Sequence, residues 1–298
     1  TYSKGCDIID PHFPESEILD FPKTERETRM IEEAVEIARG ADAVVMVLGG
    51  NELTVREERS RTSLDLPGRQ EELLQAVYAT GKPVVLVLLD GRASSVNYAD
   101  RYIPAILHAW FPGEFCGQAV AEALFGDYNP GGRLAVTFPK SVGQIPFAFP
   151  FKPGSDAKAS SSVSGALYPF GHGLSYTSFE YGDLVIDPQK QGLQGTVVVS
   201  CTVKNIGDVA GDEVVQLYLR DEVSSVTTYT KVLRGFERIS LLPGQKKTVC
   251  FELGPQELGL WDGNMNFTVE PGYFKVMIGA SSADIRLEGR FEITDSLR

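Results

Sequence analysis

Three apolar runs follow one another in the first part of the chain, and segments with helical periodicity lie between them. The runs are Ala43–Leu48, Val84–Leu89 and Ala105–Trp110. Their continuous apolarity predicts strands buried on both faces, as in a parallel sheet. Because helical segments alternate with these strands, this part is predicted to be an α/β sandwich with a mostly parallel sheet and helices on both faces.

The helix boundaries carry their own signals. Thr24 and Glu27 have the spacing of a capping box, and Gly40 is placed to end the helix that begins there. Apolar residues at helical spacing predict two further helices, at about Gln70–Ala79 and Glu114–Phe125. A short strand is predicted at Leu134–Phe138, after a turn cluster rich in glycine.

The second part of the chain has a different pattern, in which apolar and polar residues alternate. The predicted strands are Thr196–Lys204, Glu213–Leu219, Lys247–Leu253 and Gly272–Ile278. Short strands at regular intervals predict a β-sandwich of the fibronectin type III size class. We therefore predict an α/β domain over residues 1–178 and a β-sandwich over residues 179–298.

Strand parity predicts the orientation of two of the four cysteines. Cys201 shares a face with the apolar residues of its strand, whereas Cys250 alternates against Val249 and Phe251, so Cys201 should point inward and Cys250 outward. A disulfide between them is not expected. The scattered cysteines also give no spacing typical of a zinc site.

Charge excludes one class of partner. The chain of 298 residues has a formal net charge of −12, which would repel the phosphate backbone of a nucleic acid. No apolar run reaches the roughly 20 residues needed to span a bilayer, so no membrane association is expected.

A loop dense in charge follows the first predicted strand. It begins after Gly49-Gly50, carries Glu52, Glu57, Glu58 and Arg61, and ends at Leu66-Pro67-Gly68, where a helix is predicted to start. The carboxyl ends of parallel strands are where α/β sheets bind ligands, so this loop is the candidate site. Trp110 ends another strand at the same edge, where its ring could stack on a ligand or close the end of the sheet. From the residues alone, the charged loop is either a site or a solvated surface.

The loop resembles the acid/base loop of glycoside hydrolase family 3, in which a glutamate is followed four residues later by arginine and then by a Leu-Pro that begins a helix. Glu57, Arg61 and Leu66-Pro67 stand in that register. The resemblance extends along most of the chain, to the bacterial β-glucosidase and β-xylosidase branch. Its further segments are Lys82–Arg92, Ala109–Glu114, Leu124–Leu134, Phe170–Tyr176, Asn205–Gly207, Val214–Tyr218, Leu233–Glu237 and Leu242–Gly244.

The resemblance implies the carboxyl-terminal portion of a retaining, exo-acting β-glycosidase without a cofactor or metal, with β-glucosidase favoured and β-xylosidase open. Glu57 would be the catalytic acid, and Arg61, Trp110, Glu52 and Glu58 would contact substrate. Glu52 and Glu58 remain alternative candidates for the acid. The family often has Glu-Gly-x-Asp-Arg at this place, whereas this chain has Glu57–Arg61 with glutamate and serine in place of the glycine and aspartate. The nucleophile would come from a TIM-like barrel, which the residues before Glu57 are too few to form.

The implied substrates are oligosaccharides or aryl β-glycosides, and the implied location is periplasmic or secreted. The chain alone is expected to be inactive. The alternatives are a non-catalytic carbohydrate-binding or interaction module and, with less support, a regulatory receiver-like domain. We also expect Arg61 to be bonded within its loop or to a carboxylate, with Asp65 and Asp90 the favoured partners.

Overall fold

The computed structural model describes residues 1–155 and 163–295. Within them the chain forms two compact units. The first contains Thr1–Phe125, Phe138–Pro146 and Gly165–Leu167, and the remaining described residues belong to the second. Residues 126–137 thus belong to the same unit as the β-sandwich, and the proposed division between residues 178 and 179 stays a prediction.

The first unit is a small α/β fold. Its elements are α1 (Glu25–Arg39), β1 (Val44–Gly49), α2 (Gln70–Tyr78), β2 (Val84–Leu89), α3 (Asn97–Tyr102), β3 (Ala105–His108) and α4 (Cys116–Phe125). The strands form a parallel sheet in the order β1-β2-β3, with Val44 opposite Val84 and Val85 opposite Ala105. The α/β fold class predicted from the alternation is confirmed.

The first helix begins and ends as its sequence predicts. The Glu27 N–H donates to Thr24 Oγ1 at 3.2 Å, and the Thr24 N–H donates to the Glu27 carboxylate at 2.8 Å. Gly40 follows the last helical residue. The capping box therefore fixes the start of α1 by satisfying backbone donors that the helix cannot pair internally.

The sheet is not buried equally on its two faces. In the central strand β2, Leu86, Val87 and Leu88 are all buried. In β1, Met46 and Leu48 are buried, but Val45 and Val47 are 53% and 55% exposed. The expected burial on both faces is therefore correct for β2 and wrong for β1 and β3. Both are edge strands, β1 has one uncovered face, and none of the four residues of β3 is fully buried.

The second unit is built almost entirely from strands. They are β4 (Phe179–Asp187), β5 (Lys190–Gly192), β6 (Val197–Asn205), β7 (Gly211–Asp221), β8 (Val232–Leu241), β9 (Lys246–Leu253), β10 (Leu260–Trp261), β11 (Phe267–Thr268), β12 (Gly272–Gly279) and β13 (Ile285–Thr294), with the short helix α5 (Pro255–Leu258) after β9. One sheet has the order β5-β13-β12-β7-β8 and another the order β4-β6-β9. These sheets enclose one apolar core, which confirms the predicted β-sandwich.

Period-2 alternation determines which residues enter this core. Val197, Val199, Cys201 and Val203 of β6 are buried, and the residues between them are more accessible. Cys201 is buried and Cys250 exposed, and both are free thiols. The parity prediction is confirmed for both cysteines.

The strand predicted at Leu134–Phe138 is wrong, since only Phe138 makes a β-bridge. Leu134 accepts a hydrogen bond from the Gly171 N–H at 2.8 Å and donates to the His172 carbonyl at 2.9 Å. Its partners therefore lie in a turn rather than in a strand, so no ladder can extend from it. In the described part of the chain, no helix is long and apolar enough to cross a membrane.

Candidate functional site

The carboxyl ends of the three parallel strands converge closely. A Cβ atom on Gly50 would lie 2.6 Å from Val55 Cγ2 and 2.8 Å from Asp90 Oδ1. A Cβ atom on Gly91 would lie 2.4 Å from Val55 Cγ1 and 2.9 Å from Phe111 Cε2. Only glycine fits these contacts, because real Cβ atoms do not approach other atoms so closely. The segments after β1, β2 and β3 therefore meet at one edge of the sheet.

The loop between β1 and α2, residues 51–66, is called the acid loop below. It begins with a tight turn in which the Asn51 N–H donates to Thr54 Oγ1 at 3.0 Å and the Leu53 N–H donates to Asn51 Oδ1 at 2.9 Å. The N–H groups of Thr54 and Val55 both donate to the Asn51 carbonyl. These bonds fix the first part of the loop.

Arg92 holds the acid loop from the neighbouring strand end. Its Nε donates to the Thr54 carbonyl at 2.9 Å, and its Nη2 donates to the Arg59 carbonyl. Beside it, the buried Asp90 carboxylate accepts from the Ser94 hydroxyl and from the Arg92 N–H. Because one guanidinium bonds carbonyls five residues apart, it constrains the loop on both sides of Arg56–Glu58.

The three glutamates singled out by the sequence all lie on the acid loop. Glu52, Glu57 and Glu58 are exposed, and in the described part of the chain their carboxylates have no hydrogen bond or ion pair. Glu58 has a positive φ of 62°, which turns the backbone just after Glu57. The structure thus presents all three carboxylates to solvent, and the choice of Glu57 as acid stays a prediction.

Arg61 is bonded as expected, but its carboxylate partner was predicted wrongly. Its Nε donates to both carboxylate oxygens of Glu17, at 2.8 and 2.9 Å, and its Nη2 donates to the Asp65 backbone carbonyl at 3.3 Å. The Asp65 carboxylate instead accepts from Ser63, and the Asp90 carboxylate accepts from Ser94. Both favoured carboxylates already have local partners, which leaves the guanidinium to Glu17.

Trp110 lies two residues after the end of β3, at the same sheet edge. Its φ of 53° is in the left-handed region, which is uncommon for a residue with a bulky side chain. Its ring centroid lies 4.4 Å from that of His108 and 6.1 Å from that of Phe138. Burial lowers the pKa of His108, which favours the neutral form of this imidazole beside Trp110. Substrate contact by Trp110 stays a prediction.

Sequence reasoning missed three residues that hold this edge. Glu17 and Arg92 bond the acid loop, and the buried Gln70 joins α2 to β1. Gln70 Oε1 accepts from the Gly49 N–H at 2.7 Å, and its Nε2 donates to the Gly49 carbonyl at 2.8 Å. Gln70 follows the Leu-Pro-Gly that opens α2, a position that could have drawn attention to it. No local pattern marks Glu17.

The chemistry available here is carboxylate chemistry. Among residues 1–155 and 163–295, no group of three or more His, Cys, Asp or Glu side chains is arranged to hold a metal ion. What the edge does offer is a set of exposed carboxylates on a loop whose flanks are bonded. Such groups can donate a proton to a bound substrate or accept one from it.

The fold and this edge define a two-part chain, an α/β sheet with an acid loop and a fibronectin-like sandwich. Residues 7–176 match the glycosyl hydrolase family 3 C-terminal domain, and residues 213–282 match the fibronectin type III-like domain. The chain belongs to glycoside hydrolase family 3. The resemblance inferred from the motifs is confirmed.

Similar proteins have glycosidase names. The chain is 45% identical to a β-xylosidase of Formosa agariphila, over 94% of this chain and 37% of that protein. It is 40% identical to the periplasmic β-glucosidase of Salmonella typhimurium, over 98% of this chain and 40% of that protein. A solved β-glucosidase from Erythrobacter marinus superposes with a TM-score of 0.87 at 41% identity, over 99% of this chain and 41% of that one. The chain thus spans about two fifths of the length of these proteins.

Proposed function

We propose that this chain is the carboxyl-terminal portion of a retaining, exo-acting β-glycosidase and that Glu57 is its general acid/base. The observation that supports this most directly is the acid loop, which follows a parallel strand and presents Glu57 to solvent between bonded flanks. The family relationship and the names of the related proteins support the same activity.

A retaining glycosidase uses two carboxyl groups about 5–5.5 Å apart. In the first step, Glu57 donates its proton to the glycosidic oxygen as the nucleophile attacks the anomeric carbon and the aglycone leaves. In the second step, Glu57 removes a proton from water, which attacks the anomeric carbon and releases the nucleophile. We assign the nucleophile to a TIM-like barrel domain that acts together with this chain.

The proposed substrates are oligosaccharides or aryl β-glycosides cleaved at the terminal non-reducing sugar. We favour β-glucosides, and a comparison of aryl β-glucoside and aryl β-xyloside turnover decides between the two sugars. A periplasmic or secreted location is proposed from the name of the Salmonella typhimurium relative. Trp110, Arg61, Glu52 and Glu58 are proposed as substrate contacts.

Leaving-group dependence tests the role of Glu57 in the enzyme that contains this chain. Glu57→Ala should lower kcat by ~10²- to 10⁴-fold for phenyl β-glucoside but far less for dinitrophenyl β-glucoside, because a good leaving group needs no proton. Azide should accelerate the variant on the activated substrate, because it replaces water in the second step. Glu52→Ala and Glu58→Ala are the matched controls and should not give this pattern. If Glu52→Ala gives it and Glu57→Ala does not, Glu57 is not the acid.

The chain by itself provides a second test. We expect no turnover of an aryl β-glucoside, because the chain supplies an acid and lacks the nucleophile. Turnover comparable to that of intact family members, after removal of contaminating enzyme, would contradict the proposed division of roles. Tight binding of a glucan by the inactive chain would instead support the carbohydrate-binding alternative.

A further inference from the structure

The acid loop is fixed at three places, and Glu17 provides the one furthest away in sequence. The first is the turn at Asn51–Thr54 and the second is Arg92 on the carbonyls of Thr54 and Arg59. The third is the Glu17 carboxylate, which binds Arg61. Glu57 lies between the two carbonyls that Arg92 binds, and four residues before Arg61.

The pair of Glu17 and Arg61 is largely buried. The side chains of Arg61 and Glu17 are 7% and 12% exposed. The Arg61 Nε donates to both oxygens of the carboxylate, and the Thr62 N–H donates to one of them at 3.3 Å. The Thr62 hydroxyl also donates to the Glu17 backbone carbonyl. Loss of the carboxylate would leave a buried guanidinium without its counter-charge, which forces a rearrangement of the loop.

Glu17 itself lies on a constrained segment. It ends the 3₁₀ turn Glu15–Glu17, where the Ser16 hydroxyl donates to Asp10 Oδ2 at 2.5 Å and the His12 N–H donates to Asp10 Oδ1 at 2.8 Å. The ring of His12 stacks on that of Phe21 at a centroid distance of 4.1 Å. The segment that carries Glu17 is therefore held by contacts of its own, in addition to those with the loop.

Little apolar packing supports the ion pair between the segment 10–21 and the acid loop. A cavity of about 200 Å³ separates them, lined on one side by Asp10, Glu17 and Phe21 and on the other by Arg61, Thr62 and Pro67. Because an open, mostly polar cavity gives little dispersion attraction, the bonds of Glu17 to Arg61 and Thr62 hold the loop here. The next bond between the two segments lies beyond the loop, where Arg69 donates to the Phe21 carbonyl at 2.6 Å.

We propose that Glu17 is a positioning residue for the acid/base, acting on Glu57 through Arg61 and Thr62. This inference rests on the function proposed above for Glu57. Glu17 does not touch the substrate in this role. It holds the loop so that the Glu57 carboxyl reaches the glycosidic oxygen, and a displacement of about 1 Å at such a group lowers the rate strongly.

The test uses the enzyme that contains this chain and a series of aryl β-glucosides from dinitrophenyl to phenyl. Glu17→Ala should lower kcat on the phenyl substrate by ~10- to 100-fold and on the dinitrophenyl substrate by less than about threefold. Glu17→Gln should fall between wild type and Glu17→Ala, because its amide oxygen still accepts from Arg61. Glu15→Gln, an exposed carboxylate of the same turn, is the control and should match wild type.

A double variant tests whether Glu17 acts through Glu57. Glu17→Ala added to Glu57→Ala should cause no further loss on the phenyl substrate, because the group being positioned is gone. Hydrogen exchange in a peptide covering residues 51–66 should become faster in Glu17→Gln and stay unchanged in Glu15→Gln.

Three results would overturn the inference. One is a Glu17→Gln enzyme with the leaving-group dependence of wild type, and this variant carries the test if Glu17→Ala does not fold. Another is a loss that adds fully to that of Glu57→Ala. The third is a Glu57→Ala enzyme without leaving-group dependence, which rejects the proposed function as well. The positioning role alone is rejected if Glu57→Ala loses more activity on the phenyl than on the dinitrophenyl substrate, but the Glu17 variants do not.

Discussion

The β-sandwich and the parallel sheet use their strands differently. In the sandwich, alternate residues of β6, β7 and β12 enter one continuous apolar core. In the parallel sheet, only the central strand is fully covered, while β1 has two half-exposed valines on one face. The strand ends of the parallel sheet instead gather Asp90, Arg92 and the acid loop. The sandwich is thus organised around its interior, and the α/β unit around the polar edge of its sheet.

The largest expected effect concerns a charge inside the sandwich unit. The Arg133 Nη2 donates to Glu213 Oε1 at 2.9 Å, and both side chains are almost fully buried. Burial raises the pKa of Glu213 despite the attraction of Arg133. Glu213→Ala should therefore lower the free energy of unfolding by about 3–5 kcal/mol, because it leaves a buried guanidinium unpaired.

Urea denaturation measures this loss, with Glu288→Ala as the matched control. Glu288 pairs with Lys275 on the surface of the same unit, so its removal should cost less than about 1 kcal/mol. Equal losses of unfolding free energy in the two variants would contradict the expectation that an unpaired charge costs more in the interior of this unit than on its surface.

The same substitution in both sheets tests the difference in strand burial directly. Val199→Ala removes a fully buried side chain from β6 and should cost about 2–3 kcal/mol of unfolding free energy. Val47→Ala removes a 55% exposed side chain from β1 and should change stability by less than about 0.5 kcal/mol. A larger loss for Val47→Ala, measured by thermal unfolding of the same chain, would show that the exposed face of β1 is covered in solution.

The smallest expected effect depends on pH. Asp221 ends β7, and burial, with smaller contributions from Glu270 and Glu222, raises its pKa to about 6. Because the folded state favours the protonated carboxyl, the stabilising contribution is present below the ordinary pKa near 3.8 and is lost as the pH rises through about 6. Asp221→Asn should therefore stabilise the chain at pH 7 by about 1 kcal/mol, a value reduced for the solvent exposure of the group.

Urea denaturation at pH 4 and pH 7 measures this gain. At pH 4 the gain should be nearly absent, because the wild-type carboxyl is then neutral in the folded state. Asp208→Asn, at an exposed carboxyl of the same unit, is the control and should give no gain that depends on pH. An Asp221→Asn gain of equal size at both pH values would assign the effect to packing rather than to charge.

The sequence predicted a helix or strand correctly where a single local signal, such as a helix cap or an alternation of apolar and polar residues, determined its structure. The capping box at Thr24 and Glu27 begins α1, and the parity of Cys201 and Cys250 gives their orientation. β8 and β13 were not predicted individually, although they complete the larger sheet. After its bulge, β8 directs Gly235, Glu237, Ile239 and Leu241 to one face, and only the last two are buried apolar residues. The apolar alternation is therefore too short to reveal the strand.

The candidate site shows the limit of local patterns more clearly. The position of the acid loop at a strand end follows from the order of apolar and charged residues, and so does the placement of Glu57 and Trp110 at that edge. The partner of Arg61 does not, because Glu17 lies 44 residues earlier in the chain. Such a contact depends on how the segment before α1 folds back, and no periodicity in the sequence encodes that path.

The close approach of the three strand ends has a consequence for engineering this chain. Gly50 and Gly91 have no room for a side chain, and Val55 contacts both positions. A library that varies residue 50 or 91 alone will consist mostly of clashes, so residue 55 must be diversified together with them. Arg56, whose side chain is exposed and which has no positive φ, accepts variation independently. Recombination between related sequences should accordingly keep residues 50–55 and 90–92 from one parent, with crossovers placed outside these two segments.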